Sequence, residues 1–333
     1  MKTALNADIA SALDALASTS IKHVFLVACG GSLSIMHPGK YFLDRHSDAL
    51  TSDVYNGDEF VCRDPRHLNA NALVILCSQT GTTKETVRAA QHAKSKGAMT
   101  IGMTLDTASP LAQAVDYVVN YQASYTTGVP IDAAESNYGV LYMLLAGVVR
   151  LADKIDHVPS LLKSLSHLQP AIDKAHAQFA DMFEQYAHRF YDKNVIYTTA
   201  SGADYGAAYS FSICVLMEMQ WINSQAIHAN EFFHGPFEVV DENACFISFV
   251  GLDETRRLEE RTVEFLKRYG SVENIMVLDA ETLDLSGIDA AFQGYLVPLI
   301  FFDTLWKFAY KLAALRDQPM LEARRYMKKL TDY

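Results

Sequence analysis

Two groupings of residues in this chain carry the makings of chemistry. The first is EMQWINSQAIHANEFFHGPFE, residues 218–238. It opens on Glu218 in an apolar helical run (Ile213, Cys214, Val215, Leu216, Met217) and closes on His234 at a Gly-Pro turn. An apolar setting disfavours a charged carboxylate and raises its pKa toward that of a useful base, and a histidine exchanges protons near neutrality. Each residue taken alone also fits a plainer role, a satisfied core carboxylate and a turn residue. The second grouping is LCSQTGTTKET, where Ser78, Gln79, Thr80, Gly81, Thr82 and Thr83 lie between an apolar run and a helical one. The first amides of a helix are unpaired and its dipole favours an anion; hydroxyls at nearly every position add donors. Gly81 permits a turn close to a ligand. One Ser or Thr would suffice for ordinary capping. The loop has neither the lysine nor the spacing of a P-loop, which disfavours a nucleotide.

The elements that must position these residues are legible in the hydrophobic pattern. HVFLVACG (23–30), NALVILCS (71–78), GAMTIGMTLD (97–106) and DYVVNY (116–121) read as strands, with a helix over TKETVRAAQHAKSKG between the second and third. Strands apolar on both faces and separated by helices indicate a parallel sheet covered on two sides. ACGGSLSIMHPGK, carrying Gly31 and Ser32, repeats the strand-to-loop arrangement after the first strand, without the GxGxxG of a dinucleotide site. Donor-rich loops after two strands of one sheet both face its carboxyl ends, where ligands bind in open α/β sheets.

YGVLYMLLAGVVRLADKI (138–155) reads as a long buried helix, followed by a more polar helical passage over about 160–190. The pattern then restarts with NVIYTTASG (194–202), ACFISFVGL (244–252), ENIMVLDAE (273–281) and a last helical run. FLVACGGS and IYTTASGAD open the two halves alike, which suggests a duplication. The expected organisation is an N-terminal domain over 1–158, a helical linker over 159–190 and a C-terminal domain with a tail over 191–333.

Composition narrows the classes of function. Of 333 residues 50% are hydrophobic, enough for a large core. The formal charge of −11, with no basic cluster beyond RRYMKK, argues against nucleic acid but not against a small anion held by local dipoles. No apolar run spans a bilayer; GYLVPLIFFDTLWKFAYKLAAL is broken by Pro298, Asp303 and two lysines and reads as a buried helix. The amphipathic MKTALNADIASALDALA lacks the apolar core of a signal peptide. Five cysteines without a CxxC pair suit reduced thiols in the cytoplasm and indicate neither a disulfide framework nor a zinc site.

CGGS at 29–32, SQTGTT at 78–83 and E…EFFHGPFE at 218–238 together resemble the sugar isomerase (SIS) domain proteins over nearly the whole chain. The likeness is to the isomerase half of glucosamine-6-phosphate synthase and, more so in CVLMEMQWI, EFFHGPFE and ARRYM, to the deglycases of phosphorylated Amadori products. The resemblance implies two tandem SIS domains, flavodoxin-like three-layer α/β sandwiches with mainly parallel sheets. It implies a sugar phosphate gripped by Ser78, Gln79, Thr80 and Thr83, with Gly31 and Ser32 at the sugar hydroxyls. Glu218 and His234 become catalytic: an aldose–ketose rearrangement needs one group to open the ring and another to move a proton between adjacent carbons.

The synthase carries a lysine three residues before its catalytic glutamate; here Val215 stands there, so a Schiff base with the enzyme is not expected. An Amadori substrate brings its own amine. The chain also shows no glutaminase segment, so it is not expected to make its own ammonia. The partner implied is a phosphorylated sugar–amino acid conjugate, with no metal or redox cofactor. The resemblance further implies a homodimer with active sites at the subunit interface, because the synthase histidine serves the neighbouring subunit. YTTGVPIDAAESNYG (125–139) is expected near the sugar, with Asp132 and Glu135 toward the amine; a solvated loop with a helix cap fits them equally. RRYMKKLTDY is expected either to close over the substrate or to be a basic helix end paired with the acidic surface. Trp221, Phe232, Phe233 and Phe237 are expected in core or interface. The alternatives within the fold are an aldose–ketose isomerase, an amino-sugar phosphate deaminase and a non-catalytic phosphosugar sensor.

Overall fold

A computed structural model of the chain describes residues 5–123, 131–322, 324–326, 329 and 330. The chain divides into two units. One comprises Met1–Gln169 with Gly287–Asp289, the other Pro170–Ser286 with Ala290–Tyr333.

In the first unit, β1 (His23–Ala28) and β3 (Ala72–Cys77) are buried at every position, as their apolar runs, continuous after His23 in β1, require. They pair in parallel, His23 against Ala72 through Ala28 against Cys77. With β2 (Thr51–Asn56), β4 (Met99–Thr104) and β5 (Tyr117–Asn120) they form an all-parallel sheet of order β2-β1-β3-β4-β5. Successive side chains point to opposite faces. Phe25, Val27, Val74 and Leu76 meet Phe60, Ala89, Ala90 and Ala93 from the helices Gly57–Arg63 and Lys84–Ser95. On the other face the helix Met36–His46 lies close: a side chain on its Gly39 would sit 3.0 Å from Leu141 and 3.4 Å from Leu26. Leu141 belongs to the buried helix Asn137–Asp153. The amphipathic helix Ala7–Leu16, capped by Asn6, packs there too, with Leu13 over Gly147. Strand β2 has no counterpart in the apolar reading; TSDVYN is an edge strand, mostly partly exposed, and lacks the apolar run that marks its neighbours.

In the second unit β6 (Tyr197–Ala200), β7 (Ala226–His228), β8 (Phe246–Val250) and β9 (Ile275–Asp279) are also parallel, in the order β7-β6-β8-β9. That is the order of β2-β1-β3-β4, so the duplication suggested by the sequence is present in the topology. One face carries the helix Ala290–Leu315, buried along most of its length, against which Ala180–Phe190 packs through Phe183, Phe190 and Phe308. On another cluster Leu266, from the helix Arg256–Tyr269, joins Ile227, Phe232, Phe246 and Ile275. Among the described residues no helix is long and apolar enough to cross a membrane.

Candidate functional site

Strand order reverses direction at β1, which leads to β2 on one side and has β3 on the other. A crevice opens beyond the carboxyl ends of strands at such a switch point. Two of the predicted groups flank it. Gly31 and Ser32 fall in a single helical turn, Gly30–Ser34, that follows β1 directly. Gly30 has φ +55°, and among the described residues nothing lies within 4 Å of where a side chain on it would begin. Ser32 is hydrogen-bonded to the thiol of Cys77, the last residue of β3, so the first loop reaches the root of the second. Burial pushes that thiol up to about 11, while the Ser32 and Tyr121 hydroxyls pull the other way.

Ser78 follows β3, is 2% exposed, and shares a hydrogen bond with Thr83 across 2.9 Å. Thr80 and Thr82 hydroxyls lie 2.6 Å apart. Thr83 is the N-cap residue of the helix Lys84–Ser95 but makes no side-chain cap bond, its hydroxyl being turned to Ser78. The hydroxyls are therefore paired with one another, and among the described residues the helix amides they would ordinarily cap have no side-chain acceptor. Gln79 anchors the loop through its carbonyl, which accepts from Leu105 N and Thr104 Oγ1. Gly81, at φ +66°, is glycine for a reason internal to the fold. A Cβ there would lie 2.0 Å from Ser109 Oγ and 2.4 Å from Ser109 Cβ.

Glu135 ends a 3-10 turn, Ala133–Glu135, and its carbonyl accepts from Gln122 N at 2.8 Å. Asp132 caps that turn, accepting from Ala134 N at 2.9 Å, and is exposed. The capping alternative for Asp132 is thus realised. The remainder of YTTGVPIDAAESNYG, residues 125–130, lies outside the described residues, as do 327, 328 and 331–333 of the tail.

In the second unit Glu218 lies in Phe211–Met219, a π-helical segment. Gln220 N donates to the Val215 carbonyl, five residues back, and Trp221 leaves the segment at φ +57°. Such segments are rare and collect at functional sites. Val215 is fully buried and supplies no amine. The Glu218 side chain is 20% exposed, and Arg324 Nη1 donates to its Oε1 at 2.9 Å. Burial raises the Glu218 pKa, and the Arg324 guanidinium opposes the rise. In the sequence Arg324 stood out as part of the basic string RRYMKK and of ARRYM, neither of which pointed to Glu218. It pairs with the candidate base itself rather than with the acidic surface.

His234 is exposed and closes the 3-10 turn Glu231–Phe233, its amide donating to the Glu231 carbonyl at 2.9 Å; Gly235 follows at φ +134°. Phe232 is core, while Phe233 and Phe237 pack partly buried around it, as expected. Trp221 instead is 50% exposed under the guanidinium of Arg325.

The second unit has its own switch point, between β6 and β8, and fills it from within. Ser201 and Gly202 (φ +50°) repeat the place of Cys29 and Gly30. Here Glu259 accepts from Ser201 N, Ser201 Oγ and Gly251 N at 2.7–2.9 Å. Asp253 accepts from Ala203 N at 2.8 Å and Thr255 N at 2.7 Å. A side chain on Gly202 would collide with Asp253 at 2.2 Å. Asp204, fully buried beside them, has no hydrogen-bond partner on either oxygen among the described residues. Burial, then the charges of Glu259 and Asp253, push its pKa well up; burial likewise takes Glu259 to about 7.

A doubly wound parallel sheet with hydroxyl-bearing loops over its switch point is the arrangement of an SIS domain, and the SIS domain family model matches residues 19–147. Fructosamine deglycase FrlB of Bacillus subtilis (strain 168) is 47% identical over 326 residues, 98% of this chain and 97% of that one. Fructoselysine 6-phosphate deglycase of Escherichia coli O157:H7 is 27% identical over 321 residues, 96% of this chain and 90% of that one. A Bacillus subtilis crystal structure, described as that of a phosphosugar isomerase, superposes with a TM-score of 0.94 at 46% identity, covering 98% of each chain. The chain belongs to the SIS-domain phosphosugar family, in the branch that holds the fructosamine deglycases.

Proposed function

We propose that this protein is a deglycase that converts a 6-phosphorylated Amadori product of the fructoselysine, glucoselysine or fructose-aspartate class into hexose 6-phosphate and free amino acid. The observation that carries the reading is the 47% identity to a fructosamine deglycase along nearly all of both chains. The loop Ser78–Thr83 supports it, with unclaimed helix amides and clustered hydroxyls suited to a phosphate. So does Glu218, a carboxylate whose pKa burial raises.

The roles follow. Ser78, Gln79, Thr80 and Thr83 hold the phosphate, and Gly31 and Ser32 meet sugar hydroxyls. His234 assists ring opening. Glu218 takes the proton from C1 of the ketosamine, giving an enaminol, and C2 is reprotonated to give an aldimine. Water adds to the C1=N bond, and the amine departs with the proton that balances it. For a fructosamine the products are glucose 6-phosphate and the amino acid. Glu135 faces the amine end. We further propose a cytoplasmic homodimer with shared sites; the five free cysteines fit a reducing compartment.

The test is release of glucose 6-phosphate from fructoselysine and fructose-aspartate 6-phosphates, and of free amine from these and from glucoselysine 6-phosphate. Release from one conjugate, lost in Glu218→Gln, is expected. Isomerisation of a plain hexose phosphate with no amine released from any conjugate would instead assign the chain to the isomerases of its fold.

A further inference from the structure

Each of the residues Glu218–Trp221 is engaged by the segment that follows the helix Ala290–Leu315. Gln318 Nε2 donates to the Met219 carbonyl at 2.8 Å. Gln220, fully buried, donates to the Ala309 carbonyl at 2.7 Å and to the sulfur of Met320. Arg325 lies 4.8 Å over the Trp221 ring. Arg324 takes Glu218. Asp317 and Met320, both at positive φ, turn the chain back along the π-helical segment, and Met320 is 5% exposed. Four successive residues are thus fastened in register, and the fastening brings one guanidinium to the carboxylate of Glu218.

We propose that Arg324 is the positioning residue for Glu218, fixing its carboxylate in one orientation and favouring its charged form in a setting largely withdrawn from water. The proposal rests on Glu218 being the base. A half-buried ion pair is screened less than a surface pair, and an opposite charge at hydrogen-bond distance favours the charged form of an acid. Among the described residues Arg324 is the charged group that acts on Glu218. Of the other titratable groups nearby in sequence or strap, Cys214 lies four residues earlier, Glu322 lies in the turn Met320–Glu322, and Arg325 is turned to Trp221. A base with this partner is deprotonated over a wider pH range than burial alone would allow.

The experiment is the pH profile of kcat/KM for wild type, Arg324→Gln and Arg324→Lys on the conjugate that wild type turns over, with melting curves to verify folding. In Arg324→Gln the ascending limb is expected to move to higher pH by about one unit or more. Arg324→Lys is expected to move it back toward wild type. A limb that stays in place in a folded Arg324→Gln protein, however far the rate falls, overturns the proposal and leaves Arg324 a structural fastening. If wild type turns over no conjugate, the deglycase reading fails separately. The titration of Glu218 is then read from 13C carboxyl resonances of glutamate-labelled protein, assigned with Glu218→Gln. A midpoint raised in Arg324→Gln sustains the positioning role without turnover, and an unmoved midpoint removes it.

Discussion

Glu218 sits under two opposed influences, burial that raises its pKa and the Arg324 guanidinium that lowers it. Replacing it with Gln keeps the shape and removes the base, so kcat is expected to fall about a hundred- to ten-thousand-fold with binding largely retained. Loss of binding and of the melting transition together would mark a structural carboxylate instead. The buried pair Asp204 and Glu259 has a different consequence. Glu259 is held by three donors, whereas among the described residues Asp204 has none, so Asp204 is the member expected to keep the proton. Both pKa values are raised, Glu259 from 4.5 to about 7. Above the unfolded pKa the folded protein binds more protons than the unfolded chain, so stability falls as pH rises from 4.5 to about 7. The melting temperature should decline across that window, and Asp204→Asn should flatten the decline by removing a carboxyl that must stay protonated. An unchanged slope in the variant would show that Asp204 does not hold the proton. The candidate base was legible from its apolar run. Arg324, 106 residues away, was not, because nothing local marks a partner that only folding supplies.

At the level of elements, the strands that hold the first-unit loops were readable because β3 is apolar throughout and β1 is apolar after His23, as sheets covered on both faces require. The edge strand β2 and the three-residue β7 were not, since neither has a long apolar run. The π-helical character of Phe211–Met219 was equally hidden: its sequence is apolar on nearly every side and favours no period. The loop after β3 showed its composition but not its wiring. Its hydroxyls pair with each other and Thr83 does not cap. Thr83→Val, nearly the same shape without the hydroxyl, should raise KM about tenfold with kcat nearly kept, as loss of a hydrogen bond to a charged group predicts. A KM within twofold of wild type would remove Thr83 from the phosphate site. Gly81→Ala combines a left-handed backbone with a collision at Ser109, so it should destabilise the first unit by at least about 1–2 kcal/mol, measurable by urea unfolding.

Over the whole molecule, the repeated strand order shows one design used twice, and the sequence had suggested as much from two similar strand-loop openings. The expected shared site of a homodimer has a direct test at this scale. Glu218→Gln and His234→Ala chains, each inactive alone, are unfolded and refolded as an equal mixture. If Glu218 of one chain works with His234 of the other, half the dimers are mixed and each carries one intact site, giving about a quarter of wild-type activity. No recovery, with mixed dimers demonstrated, would place both residues in one chain's site. The two halves have also diverged in what they offer a ligand. The space beside Gly30 is open, whereas that beside Gly202 is filled by Asp253. The backbone amides after β6 and β8 donate to carboxylates of their own unit. If the loop Ser78–Thr83 holds the phosphate as proposed, a saturation curve for this protein is expected to count one phosphate-bearing ligand per chain, not two. Among the described residues the matching position of the second half is filled from within, so a sigmoid shape in that curve would point to communication between the chains of the proposed homodimer rather than within one chain.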